Sequence, residues 1–213
     1  MPPSNKTRTR LSPEARKDMI LDHAAEVVAK EGVSAITMER LGREAGISKS
    51  LVYAYFPSMT ELLKTLLKRE HLGLRKRQVK AVQDVETFEH LVRTTTNTYL
   101  TYMDERGLII DRLAAEPSIA ESGDPIDFGR EYAVKFMAEI LCDNFDIDME
   151  VATIGVDIAL GLPYAAGHYL IRHNVSKQKV EDLTVALMIG SIEGLRNNYE
   201  RSFKPLKIRS HKP

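Results

Sequence analysis

The chain has a single cysteine, Cys142, and no tryptophan. A lone thiol closes no intrachain disulfide, so stability has to come from packing and nothing here calls for an oxidising compartment. Residues 2–10 (PPSNKTRTR) lack the apolar core of a secretory signal, which makes the cytoplasm the expected location. Long hydrophobic runs are missing as well. The most apolar stretch, residues 151–171, is interrupted by Asp157, Pro163 and His168. That falls short of the roughly 20 apolar residues a bilayer span needs, so no membrane association is expected. Glycine and proline, 12 and 9 in 213 residues, are too sparse for collagen-like or low-complexity chains. With 43% hydrophobic and 28% charged residues, the composition suits one large or two small globular domains.

Catalytic constellations are scarce too. His23, His71, His90, His168, His173 and His211 lie on separate segments with no nucleophile beside them. No metal-ligand cluster and no phosphate-cradling glycine loop can be read. The one acid–base pairing the residues suggest is His168 with Asp157. No cofactor or metal is expected, and the chain does not read as an enzyme.

Net charge is also zero, but the balance hides segregation. Residues 1–80 carry 16 basic and 9 acidic side chains, residues 81–200 carry 9 and 21, and residues 201–213 add 5 basic ones. A basic first third joined to an acidic remainder implies one part that meets a polyanion and one that stays off it.

What is present is helix grammar. Ser12-Pro13-Glu14 supplies an N-cap hydroxyl, a proline at the first helical position and a carboxylate facing the positive helix end, predicting a helix over 13–31 that stops at Gly32. Thr37 caps a short helix to Ala45, with Ile36 and Leu41 as its hydrophobic staple. Gly46 allows a tight turn, Ser48 caps a second short helix, and Ile47 with Val52 repeats the staple. Phe56-Pro57 ends it. Ser58 and Glu61 then open a helix over 58–80 with Leu62, Leu63, Leu66 and Leu67 on its apolar face. Short capped helices joined by a glycine turn make a helix-turn-helix. Beyond residue 84 the periodicity is helical throughout, over 86–104, 106–115, 126–144, 148–172 and 177–202, with a loop around Pro117, Gly123 and Pro125. The fold class is therefore all-α.

The stretch ITMERLGREAGISKSLVYAYFPSMTEL, residues 36–62, resembles the DNA-binding domain of the TetR family of bacterial transcriptional regulators. Thr37, Leu41, Ala45-Gly46-Ile47-Ser48, Tyr53, Tyr55-Phe56 and Leu62 carry the resemblance, which covers roughly residues 12–65. It implies an N-terminal three-helix DNA-binding domain, with residues 1–57 as arm and helix-turn-helix and the helix 58–80 as connector. Residues 81–213 become a helical effector-binding and dimerisation domain with a basic tail.

The second helix of such a motif enters the major groove, which is about 12 Å wide and displays a base-specific pattern. Here that helix is Ser48 to Tyr55. Spacing turns Val52 and Phe56 into the core and leaves Lys49, Ser50, Leu51, Tyr53 and Ala54 for groove and backbone. Lys49 suits a guanine edge or a phosphate, whereas Leu51 and Ala54 offer only apolar surface, hence thymine methyls. Arg40 and Arg43, and Lys6, Arg8 and Arg10 in the N-terminal arm, are further candidates for backbone contact. Thr37 can meet a phosphate through its hydroxyl or the amides at its helix start. The resemblance implies a phosphate partner for the Tyr53 hydroxyl, the alternative being a half-buried aromatic. It also places a lysine at the start of the fourth helix, where this chain has Met59. Arg75-Lys76-Arg77 reads as solvation of a helix end.

Helix 177–202 is apolar on two sides, one carrying Val180, Leu183, Leu187, Gly190 and Gly194, the other Val185, Met188, Ile192, Leu195 and Tyr199. Together with Ile154, Ile158, Leu162, Ala165, Ala166 and Tyr169 this suggests half of an intersubunit four-helix bundle, as the resemblance also implies; a larger intramolecular core is the alternative. The resemblance further implies a small-molecule effector. Tyr99, Tyr102 and Met103 on one helix, and Phe128, Tyr132 and Phe136 on another, are pocket lining or simply core. Asp157, Gly161, Tyr164 and His168 share a face, taken as opposite to the dimer face, where they orient an apolar ligand or merely meet solvent. The expected function is a DNA-binding regulator, a repressor freed from a palindromic operator by a small, mostly apolar effector. An effector-independent architectural DNA binder is the alternative.

Overall fold

The computed structural model describes residues 11–120 and 125–196, with backbone only for Ala120, residues 125–129 and Arg196. Helices account for the architecture: α1 (Pro13–Glu31), a 3-10 turn (Val33–Ala35), α2 (Met38–Glu44), α3 (Lys49–Tyr55), α4 (Met59–Ala81), α5 (Phe88–Ala114), α6 (Pro117–Ala120), α7 (Pro125–Phe145), α8 (Met149–Ala159), α9 (Gly161–Arg172) and α10 (Lys177–Arg196). No strand occurs among the described residues.

Side-chain caps start the helices where expected. Ser12, Thr37, Ser48 and Ser58 each accept a hydrogen bond from the backbone N–H three residues on, at 3.0–3.2 Å. Thr87 and Asp148 do the same for α5 and α8. Each such cap satisfies one of the four orphan donors at a helix start.

Two expected boundaries move. Residues 86–104 and 106–115 are one helix, α5, because Glu105 and Arg106 are not a linker. They reach across to α4, Glu105 to Arg77 at 2.7 Å and Arg106 to Glu70 at 2.6 Å. Conversely, 148–172 breaks at Leu160, ahead of Pro163, whose ring removes an N–H and crowds the turn before it. The rod Met149–Arg172 does meet the length and composition of a membrane span, contrary to expectation. Its inner side nevertheless packs on protein through Ala152, Val156, Ala159, Pro163, Gly167 and Leu170.

Three hydrophobic clusters form, and α5 threads them all. The first joins Ile20, Ala24 and Val28 of α1 to Leu41, Val52, Phe56, Leu62 and Leu66, and takes in Ile109 and Leu113 of α5 and Ile119 of α6. The second gathers Leu91, Val92, Met137, Leu141, Val156, Val185 and Met188. The third is Leu100, Leu170 and Val180. At about 1.5 Å per residue, α5 is a spine of about 40 Å. Close approach of α9 to this spine rests on two glycines: a Cβ on Gly107 would sit 2.5 Å from Ile171 Cδ1, and one on Gly167 2.9 Å from Tyr99.

A buried ion pair registers α4 on α5. Glu70, 3% exposed, accepts from Arg106 Nε at 2.8 Å and Nη2 at 2.6 Å. The Tyr102 hydroxyl lies 2.8 Å from the Glu70 carbonyl and 3.0 Å from its carboxylate. Gly73 makes room for that hydroxyl, which would lie 2.8 Å from an added Cβ. Burial, reinforced by Glu70, pushes the Tyr102 phenol well above its usual range, and the Glu70 carboxylate holds the Arg106 guanidinium higher still.

Candidate nucleic-acid interface

The unit that could meet DNA is the α2–turn–α3 hairpin. Its turn depends on Gly46, whose φ of +65° lies in the left-handed region. Gly42 matters for space instead: a Cβ there would lie 3.0 Å from the Ile47 carbonyl oxygen and 3.2 Å from the Lys49 nitrogen. The two helices thus lock backbone to backbone, with Ile47 N–H donating to the Gly42 carbonyl at 2.8 Å.

On α3, Val52 is fully buried and Phe56 just beyond its end nearly so, both against Leu41 and Leu62 in the first cluster. Burying these anchors fixes the opposite face outward. Lys49, Ser50, Tyr53 and Ala54 are exposed there, Tyr53 at 45%, and Leu51 is half-buried. Ser48 Oγ accepts from Leu51 N–H and lies 3.1 Å from Ser50 Oγ, so the two hydroxyls constrain one another. Thr37 is exposed, and its Oγ1 accepts from Arg40 N–H at 3.0 Å, which leaves the hydroxyl proton to point outward. A seven-residue rod with one cation, one serine hydroxyl, a phenol and a methyl on its free face can read base edges and touch phosphates.

A family model described as "Bacterial regulatory proteins, tetR family" matches residues 20–66, the segment that builds this hairpin and its support. Over these residues the chain is similar to that family. Among curated relatives, it is 34% identical over 65 residues to the HTH-type transcriptional regulator SrpR of Pseudomonas putida, covering 30% of each chain. It is 31% identical over 74 residues to the nucleoid occlusion factor SlmA of Glaesserella parasuis, covering 35% of this chain and 36% of that one. The match thus spans about a third of either relative. In three dimensions a TetR-like regulator from Rhodococcus sp. RHA1 superposes on 87% of this chain and 100% of its own, with a TM-score of 0.68 at 18% identity. AibR, solved with isovaleryl coenzyme A and operator DNA, gives 0.58 at 14% identity over 81% of this chain and 97% of its own. At such identities the structural likeness establishes the fold: the TetR helix-turn-helix followed by a helical domain.

Against this TetR-family frame, several residues fall in unexpected places. Met59, where the resemblance places a lysine, packs against the first cluster. Arg40 faces protein: Nη1 and Nη2 grip the Glu31 carboxylate at 2.9 and 2.5 Å, Nε donates to Glu44 at 2.7 Å, and Nη1 also reaches the Ala35 carbonyl at 3.3 Å. The grip holds the Glu31 carboxyl below, and the Arg40 guanidinium above, their ordinary ranges. Arg43 stays exposed. The Arg40 to Glu44 spacing of four was readable in the sequence, but Glu31, nine residues away, carried no local signal. Lys6, Arg8, Arg10 and Tyr199 lie outside the described residues. Arg75-Lys76-Arg77 does more than solvate a helix end, because α4 continues to Ala81. Arg75 covers the Tyr132 ring at 4.7 Å, and Arg77 pairs with Glu105 and covers Tyr102 at 4.9 Å.

The residues read as effector-binding are brought together in part: Gly167 of α9 lies against Tyr99 and Met103, and Tyr164 is near enough to reinforce the burial-driven rise of the Tyr99 phenol. Tyr99, Tyr102 and Met103 pack inside along α5, and burial raises the Tyr99 phenol above its usual range. Tyr132 and Phe136 lie exposed on α7, and the side chain of Phe128 is outside the described residues. Asp157, Tyr164 and His168 are on the α8–α9 rod. Asp157 accepts from Arg130 Nε at 2.7 Å, while His168 lies 3.2 Å from Asp111 and 4.4 Å from the Tyr164 ring. The His168–Asp157 pairing is therefore not made. A groove of about 450 Å³ runs along α9 between Tyr164, His168, Tyr169 and Arg172.

Nor do Asp157 and Tyr164 oppose Ile154 and Ile158. All four are exposed on the outer side of the rod, since its inner side is occupied. Ile158 is 73% exposed, and Leu183 and Leu187 of α10 are 57% and 60% exposed. Gly190 and Gly194 continue that outer face of α10 with nothing within 4 Å of where a Cβ would be, and the same is true of Gly161 on α9. Leu162 is half-buried against the second cluster.

Proposed function

We propose that the chain is a homodimeric transcriptional repressor that binds a palindromic operator duplex through α3 and is released by a small, mostly apolar effector. The observation that carries the DNA-binding part is the division of α3, with Val52 and Phe56 sealed in the core and Lys49, Ser50, Tyr53 and Ala54 outward. Lys49 addresses a guanine edge or a phosphate, Tyr53 and Thr37 supply hydroxyls to the backbone, Arg43 adds a cation, and Leu51 and Ala54 meet thymine methyls.

Dimerisation is supported by the outer face of α8 to α10. Ile154, Ile158, Leu183 and Leu187 expose large apolar side chains beside the open glycines 190 and 194, so another helix pair can approach closely. A two-fold axis there would set two copies of α3 against half-sites one helical turn, about 34 Å, apart. For the effector, the aromatic side chains of α5, α7 and α9 favour an apolar ligand, whereas isovaleryl coenzyme A, with which AibR was solved, is a polyanion with a short apolar acyl group and supports only that a protein of this fold takes a small molecule. The packing of Tyr102 and Met103 favours instead the second reading, a DNA binder without effector.

Selecting bound duplexes from a random pool at physiological salt tests the core of this reading. A palindromic consensus is expected. Recovery of unrelated sequences with a steep salt dependence would favour the architectural reading, and recovery of none would remove DNA binding altogether.

A further inference from the structure

α1 sits between the DNA-facing hairpin and the second domain, and arginines grip its last turn from both sides. From the second domain, Arg112 Nη1 donates to the carbonyls of Val28 at 2.5 Å and Ala29 at 2.8 Å. Those are carbonyls of the helix end, where the dipole favours a cation; the Val28 carbonyl also accepts the Gly32 N–H at 3.1 Å. From the hairpin, Arg40 commits four of its five N–H groups, two of them in a fork on Glu31, the final residue of the same turn. Arg112 stands at the end of α5, the spine that threads all three clusters. The hairpin itself is braced as one piece, since close approach at Gly42 locks α2 onto the turn and the start of α3.

We propose that the last turn of α1, Val28 to Glu31, is a relay that sets the recognition helix relative to the second domain, with Arg112 and Arg40 as its two positioning residues. The proposal rests on the reading of α3 as the DNA-contacting helix. It makes Arg40 a residue that aims α3, not one that touches a phosphate. The two roles give opposite signs for Glu31. If Glu31 aims Arg40 at the fold, removing its charge loosens the hairpin and weakens specific binding. If Glu31 merely competes with DNA for Arg40, removing its charge frees the cation and tightens binding.

The test is fluorescence anisotropy of the full-length dimer on its selected duplex and on a scrambled one, across a salt series. Arg40→Met, Glu31→Gln and Arg112→Met should each weaken binding to the selected duplex about tenfold, the equivalent of about 1.4 kcal/mol. Binding to the scrambled duplex and the slope of log K against log salt should match the parent. Arg112→Lys, which keeps a donor and a charge, should recover most of the loss, and the Arg40→Met/Arg112→Met pair should lose less than the product of the two. Tighter binding by Glu31→Gln, or a slope reduced by about 1.8 in Arg40→Met, about 0.9 for each of the dimer's two Arg40 side chains, would overturn the proposal by making Arg40 a phosphate contact. Parent-like specific binding by Arg112→Met would overturn it as well. Glu31 is half exposed, so its variant tests the relay even if an arginine variant does not fold. If the parent bound no duplex, the DNA-binding reading would fall, a result distinct from any variant behaving like the parent.

Discussion

Residues 11–66 and the described residues beyond them are both helical, yet they specify their helices differently. From Ser12 to Leu66, each α-helix begins at a hydroxyl cap, and the turn between α2 and α3 uses a positive-φ glycine. These are local instructions, read within four residues of where they act. From α5 onward caps recur at Thr87 and Asp148, but the helices are placed by contacts between elements far apart in sequence, such as Arg106 on Glu70, Arg130 on Asp157 and Ile171 over Gly107. A surface that reads one DNA geometry tolerates little variation in its frame, whereas a helical body can pack in many ways around different cores. The family model matching only residues 20–66, beside structural likeness over most of the chain, fits that contrast.

Substitutions can sharpen it, beginning with the largest effect. Phe56→Ala empties a site 1% exposed at the end of α3 and should cost about 3–5 kcal/mol in urea unfolding, with α3 lost as a DNA reader. Gly42→Val forces side-chain atoms into the Ile47 carbonyl and should cost about 1–3 kcal/mol, more than the helix propensity it gains. Unfolding at parental stability in either variant would mean that the hairpin frame is less exacting than its contacts imply. On the second domain, Leu187→Ser changes an exposed side chain and should shift the stability of the isolated chain by no more than about 0.5 kcal/mol. The same change should lower the dimer fraction in sedimentation, and an intact dimer would move the interface away from α10.

The smallest effect is in pH. Arg40 holds the folded Glu31 carboxyl below its unfolded value of about 4.3, so the stabilisation is fully present above that pH and is lost as pH falls through the depressed folded value. The stability gap between parent and Glu31→Gln should therefore shrink on acidification below about pH 4.3. A gap that stayed constant or widened would show that Glu31 is not held by Arg40 in solution.

Much of this structure was legible before it was seen, and the rest was hidden for physical reasons. The helix 13–31 and the outward face of α3 follow from caps and periodicity, which are local. The break expected at Glu105 failed because two adjacent charges look like surface linker until α4 is placed beside them. Arg40 looked like a DNA contact because its partner Glu31 belongs to another helix. The proposed effector residues share helix faces in sequence, yet packing sorts them: Tyr99 and Met103 meet α9 beside Tyr164, while Tyr132 and Phe136 lie exposed on α7. Asp157 illustrates the point: periodicity put it on a helix face but could not show Arg130 waiting there.

The claim on which the account turns is that the outward face of α3 occupies a major groove in each of two half-sites. Methylation interference on the selected duplex measures this directly, since guanine N7 lies in the major groove. Two interfering patches about 10 base pairs apart, related by the palindrome, are expected, with Lys49→Ala weakening or erasing the pattern in both. Binding that ignored N7 methylation and tracked only minor-groove modification would contradict it.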